Sequence, residues 1–137
     1  MGEVIQNLNY WAVIAAAISN FAVGFIWYAP FTFGKSWKKE NGFTDEFLQR
    51  GNPIKIFGLS LMWSVIWAFN LAMFLADEST TASWGMTAGF LAGFGWVAMG
   101  FFIVGLFERK SAKLMLINGG YAAIGLSVMG LILGAWR

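Results

Sequence analysis

The chain has 137 residues, of which 58% are hydrophobic, 18% aromatic and only 12% charged, with a formal net charge of +2. Soluble domains carry about a quarter charged residues, and a chain this short buries too little of itself to hide so much apolar area, so lipid is the expected solvent and one domain the expected organisation. Cysteine and histidine are both absent, which excludes disulfides, thiol chemistry, histidine proton shuttling and zinc or haem sites built on those residues.

The amino-terminal segment MGEVIQNLN has no basic n-region and no small-residue cleavage site, so the first apolar run is expected to act as its own insertion signal. Position 6 is Gln6, where a myristoylation motif needs Ser or Thr. Four apolar runs follow, at residues 8–29, 54–75, 84–107 and 114–136. At about 1.5 Å rise per residue each can cross a bilayer. They lack the period-two alternation of barrel strands, and in lipid only helices then satisfy the backbone. The predicted fold is an all-α membrane protein, a four-transmembrane-helix bundle.

The first run ends in the stretch GFIWYAPFTFGKSWKKENG. Trp27 and Tyr28 are expected in an aromatic belt at the membrane boundary, together with Trp37, because such rings pair an apolar body with a polar edge. Pro30 stops the helix. Phe33 and Trp37, four apart and beside Lys35, Lys38 and Lys39, predict a short interfacial helix on the headgroups. In TDEFLQRG, Thr44 reads as an N-cap, Asp45 and Glu46 fill the first turn, and Gly51 is the stop. The two pieces form a cytoplasmic helical elbow between spans one and two.

Eight of the nine basic residues fall in the first loop with its edges or in the third loop, Arg109 to Lys113; Arg137 is the exception. The second loop, ADESTTAS, has none. The positive-inside rule then puts both basic loops in the cytoplasm and both termini on the outer side.

Small residues recur every fourth position in each span: Ala12, Ala16, Asn20 and Gly24 in the first, Ser60, Ser64, Ala68 and Ala72 in the second. The third has Gly85, Gly89 and Gly93, a doubled GxxxG, and the fourth has Gly130 and Gly134. Lipid supplies no hydrophobic force between helices, so close backbone approach must hold them together. The stripes predict dense packing and offer faces for a homo-oligomer. Polar residues within the spans are few. Asn20, Ser64 and Ser127 fall near the midplane, Trp96 lies at the same depth, and Asn70 shares a face with Trp63 and Trp67. These five, Asn20, Ser64, Asn70, Trp96 and Ser127, have two readings: a polar pocket or pore, or interhelical hydrogen bonds worth about 0.6 kcal/mol each.

No span contains an ionisable acid or base except at an end, as Lys55 does, which argues against a proton-coupled pump, a voltage sensor or a carboxylate cation carrier. No proline interrupts a span as in many ion-coupled transporters. Ser36 and Ser111 near lysines are the only serine–lysine candidates, and both sit in solvated basic loops. The chain is therefore not expected to be an enzyme. No cofactor, no metal and no nucleic-acid partner is expected either.

The segments NYWAVIAAAISNFAVGFIWYAPFTFGKSW and LFERKSAKLMLINGGYAAIGLSVMGLILGAW resemble the domain of unknown function 1761 family, small, mostly bacterial integral membrane proteins. The resemblance rests on the opening Asn-aromatic pair, the WY.P..FGK.W elbow, LFE, INGGY and the closing MG....AW. It implies four transmembrane helices in a bacterial inner membrane and no assigned reaction. Two functions are then in view. One is a homo-oligomeric passive channel or small-solute facilitator lined by the five residues above; the other is a structural or accessory protein binding a membrane partner or lipid.

Overall fold

The computed structural model describes residues 1–137. It is 79% helical, without strands, and has four helices long and apolar enough to span a membrane. Elements α1 (Gly2–Gln6), α2 (Tyr10–Trp27), α3 (Gly34–Asn41), α4 (Asp45–Gln49) and α5 (Pro53–Phe74) come first. The third span, Ala82–Phe107, comprises α6 (Ala82–Ala92) and α7 (Met99–Phe107), joined by a π-helical turn at Gly93–Ala98. The fourth span is α8 (Ala112–Ala135).

Each span starts at a side-chain cap. Asn9 Oδ1 accepts from Ala12 N, Asn52 Oδ1 from Lys55 N, Thr81 Oγ1 from Trp84 N and Ser111 Oγ from Leu114 N, at 3.1–3.2 Å. These oxygens satisfy amide protons that the helix itself leaves orphaned. Pro53 occupies the first turn of α5, where no N–H is needed. In the elbow, Thr44 caps α4 through Phe47 N, as its sequence predicts. Lys38 of α3 pairs with Asp45 of α4. The amino-terminal helix α1 is not among the predicted elements.

Two helices ending on the lysine-rich side close with the same six-residue device. Phe43 N donates to Lys38 O and Gly42 N to Lys39 O; Lys110 N donates to Gly105 O and Arg109 N to Leu106 O. This Schellman pattern needs a left-handed residue at its turn. Gly42 adopts φ 68° and Arg109 adopts φ 58°. Arg109 is thus a non-glycine held where a Cβ crowds the carbonyl.

The fourth span is the hub. Half of its apolar window is buried, against 17 to 28% for the other three. α8 packs on α2, on α6 and on the π turn; α5 packs chiefly on α2 and lightly on α8. The bundle therefore runs α5, α2, α8, third span, and stays open between α5 and the third span. Both termini lie at one end, where Asn9 Nδ2 donates to the Arg137 carbonyl at 3.4 Å. At that same end Arg137 donates to the Leu75 and Asp77 carbonyls of the second loop. The one basic residue outside the lysine-rich end is thus tied to loop carbonyls.

Glycine stripes zip α6 onto α8. A methyl group on Gly85 would collide with the Gly130 carbonyl oxygen, and one on Gly130 with that of Gly85. Gly89 lies likewise against Leu126 and Ser127, Gly93 against Ala122 and Ala123, and Gly134 against Thr81 and Ala82. All five predicted packing glycines therefore meet helices of their own chain. In the half nearest the termini the core is apolar, with alanines of α2 and α5 packed against larger side chains: Ala16, Ala17, Ala68, Ala72, Leu126 and Met129 are buried.

Candidate functional site

Polarity inside the bundle collects in the other half, nearer the basic loops. Asn20 is 1% exposed, and its amide nitrogen donates to Ser64 Oγ at 2.9 Å and to Tyr121 Oη at 2.8 Å. Three helices, α2, α5 and α8, meet at this amide. Its Oδ1 has no partner and lies against Gly125, where any side chain would strike it. Turned over, the amide oxygen would accept from both hydroxyls while its two N–H groups faced Gly125 unpaired, and buried orphan N–H groups are rarer than under-satisfied oxygens.

The hydroxyls of Ser64 and Tyr121 both accept from Asn20. Ser19, Ser60 and Ser127 each donate to a carbonyl of their own helix three or four residues back, at 2.6–2.7 Å. Ser64 makes no such bond, and neither does Tyr121 donate within the protein. Both O–H protons are left to point elsewhere.

They border a cavity of about 570 Å³ between α2 and α5. Ser64 and Tyr121 form its deep end; Phe21, Phe25, Phe57 and Ser60 form its walls; no lining residue is charged. The three phenyl rings are mutually packed, with centroids 5.1 to 5.9 Å apart. The cavity runs from Pro30 and Ile56, at the basic end, to Ser64. Beyond Ser64 the alanine-rich core closes the space toward the termini.

The elbow completes the wall, and its aromatics behave differently from belt anchors. Trp27 Nε1 donates to the Ile117 carbonyl at 2.8 Å, and Tyr28 Oη to Asn118 Oδ1 at 2.7 Å. Trp27 lies so close over Gly120 that a Cβ there would meet its ring at 2.7 Å. The Tyr28 ring lies 5.5 Å from that of Tyr121. The polar edges thus turn inward onto α8, away from headgroups. Phe33 packs at a tilt on Trp27, with centroids 4.6 Å apart, and Trp37 meets Tyr28 edge-on at 5.9 Å, so both anchor the elbow to the bundle. A Cβ on Gly34 would collide with the Tyr28 and Ala29 carbonyls behind Pro30. Lys35 lies in α3, beside these contacts.

The stretches WY.P..FGK.W and INGGY, about ninety positions apart, are therefore two faces of one contact. A family profile described as "Protein of unknown function (DUF1761)" matches residues 11–134, which hold both. The chain belongs to the DUF1761 family. No curated protein matches this DUF1761 chain, and no solved structure does.

Of the five polar candidates read from the sequence, only Asn20 and Ser64 meet. Asn70 is exposed and donates to Ile66 O of its own helix at 2.8 Å. Trp96 is 71% exposed and packs edge-on against Phe74. Both border a separate groove of about 490 Å³ between α5 and the third span. Ser127 bonds its own helix. The residue absent from the candidate set is Tyr121. Its depth, nine positions into α8, matches that of Asn20, seven from the end of α2.

Proposed function

We propose that this DUF1761 protein is a multi-pass accessory protein of the bacterial inner membrane, and that it holds a lipid-phase molecule in the cavity between α2 and α5. The observation that carries this reading is the half-open, uncharged cavity bordered by two undonated hydroxyls. Ligand sites are mostly apolar hollows with a few convergent polar groups. The cavity lies in the half of α2 and α5 nearer the basic loops, which the positive-inside rule assigns to the cytoplasm, so the molecule is drawn from the cytoplasmic leaflet. Catalysis is no part of the reading, since every acid lies outside the spans and the only bases within them, Lys55 and Lys113, sit in the first turns of α5 and α8.

Native mass spectrometry of the protein purified in mild detergent tests it. The wild type retains a lipophilic adduct that Ser60→Phe, which fills the cavity from α5, releases. An adduct-free wild type, or equal adduct in both proteins, overturns it.

A second reading, a passive conduit formed between copies, is favoured by one observation: Asn70 and Trp96 both line the open groove between α5 and the third span. It requires a homo-oligomer in nanodiscs and solute flux that Asn70→Leu reduces.

A further inference from the structure

The cavity's depth and chemistry narrow what it can hold. Ser64 stands eleven residues into α5 and Tyr121 nine into α8. At about 1.5 Å per residue the hydroxyls lie roughly 14–16 Å below the basic ends of the helices, near the middle of a hydrocarbon core about 30 Å thick. A phospholipid's ester oxygens stay at the hydrocarbon boundary, so only its tails reach this depth. Tails accept no hydrogen bond, and two undonated hydroxyls facing a bare tail would each remain unsatisfied, which a low-dielectric core penalises. The occupant needs an acceptor oxygen that is stable at mid-bilayer.

It must also be neutral, since no cavity-lining residue is charged and a bare ion in this setting is costly. The walls are aromatic. Phe21, Phe25 and Phe57 on one side and Tyr28 with Tyr121 on the other present ring faces and edges. Such surfaces favour a flat ring by offset or edge contacts. An acceptor oxygen, a flat ring, no charge and solubility in hydrocarbon together describe one class.

We propose that the cavity binds a lipid-soluble quinone, with one ring carbonyl accepting from Tyr121 Oη and Ser64 Oγ, the ring between the phenyl groups, and the tail leaving toward Pro30. The inference rests on the accessory-protein reading and names the ligand of that same site. It is a binding step only, with no electron transfer.

The test uses the full chain in nanodiscs and two probes, a decyl-substituted benzoquinone and decylbenzene, which lacks the oxygens. Wild type binds the benzoquinone more tightly. Tyr121→Phe and Ser64→Ala each weaken it about three- to tenfold, as loss of one hydrogen bond should, while decylbenzene binding is unchanged. Infrared spectra report the carbonyl directly: its stretch is lowered in the wild-type complex and returns toward the free value in Tyr121→Phe. Equal binding of the two probes by the wild type overturns the quinone assignment even if a variant fails to fold, and leaves an acyl-chain site standing. Displacement of both probes by Ser60→Phe alone, with no response to Tyr121→Phe, overturns it equally. Failure of the wild type to bind either probe overturns the cavity reading itself.

Discussion

Replacing Gly85 with alanine tests the zipper between α6 and α8. The new carbon would fall within ordinary contact distance of the Gly130 carbonyl oxygen, 3.0 Å from the Gly130 carbonyl carbon and 3.1 Å from the Gly134 Cα. All three are backbone atoms that no rotamer can move. The helices must part by about an ångström, and overpacking of this kind costs about 1–3 kcal/mol. Alanine's better helix propensity returns up to about 1 kcal/mol. With rigid backbone as the obstacle the upper figure applies, and a net loss of about 2 kcal/mol is expected. At Gly58 and Gly100 an added methyl group would have no neighbouring atom within 4 Å. Their alanine variants collect the propensity gain alone. The gap between Gly85→Ala and Gly100→Ala is then about 3 kcal/mol, on the order of a hundredfold in the unfolding equilibrium. Reversible unfolding by sodium dodecyl sulfate in mixed micelles, followed by circular dichroism, measures it. Equal midpoints for the two variants would refute the claim that these helices approach through glycine.

Trp27→Phe removes the indole bond to Ile117 while keeping a ring over Gly120; a loss of about 1 kcal/mol is expected in the same assay, whereas a belt anchor would show none. Asn20→Leu strips both hydroxyls of their donor, and a loss of about 1–2 kcal/mol is expected. Arg109→Gly relieves a left-handed non-glycine and should raise stability by about 0.5–1 kcal/mol, while Gly42→Ala lowers it by a similar amount. Asp77, in the second loop, is held below the ordinary aspartate range by the Ser79 hydroxyl and then by the Ser79 backbone N–H. A native pKa depressed in this way adds stability at neutral pH that disappears as pH falls through it. Nuclear magnetic resonance titration of Asp77 should move its midpoint upward in Ser79→Ala; an unmoved midpoint disproves the assignment.

The spans, the elbow and the Thr44 cap are legible in the sequence because each has a local cause: apolar length, a proline stop, a hydroxyl before a polar first turn. The packing glycines are legible for the same reason, being spaced along one helix. Their partners are not, since a stripe does not say which helix it meets, and Gly85 to Gly93 could equally face another copy. Neighbour identity is hidden further because both lipid and protein are apolar, so no amphipathic pattern marks a buried face. Trp27 and Tyr28 read as belt anchors because an inward-turned aromatic and a headgroup-turned one have the same sequence. Tyr121 is visible as a polar residue within the fourth span but not as a site residue, because its value lies in depth relative to Asn20, which no single segment displays. The π turn at Gly93–Ala98, among closely spaced glycines, likewise has no periodic signature.

Along α2 the character of the residues changes at Asn20. Toward the termini come Ala12, Ala16 and Ala17, all buried; toward the elbow come Phe21, Phe25, Trp27 and Tyr28, none of them buried. Small residues let backbones close on each other, so α2 and α5 meet closely there, and the space of about 530 Å³ at that end lies beyond the seam, beside α1 and the second loop. Large rings cannot interdigitate so closely, and space opens between α2 and α5 where they stand. A chain that needed only to hold four helices together could have continued the alanine seam past Asn20, with no buried amide to satisfy. Instead the seam stops at an amide whose own oxygen lacks a partner, and that amide gives its two protons to Ser64 and Tyr121. The arrangement gives up a satisfied acceptor in the core in order to leave two donors at the cavity. On the proposed reading, a ligand carbonyl takes the two hydroxyl protons that this exchange leaves at the cavity.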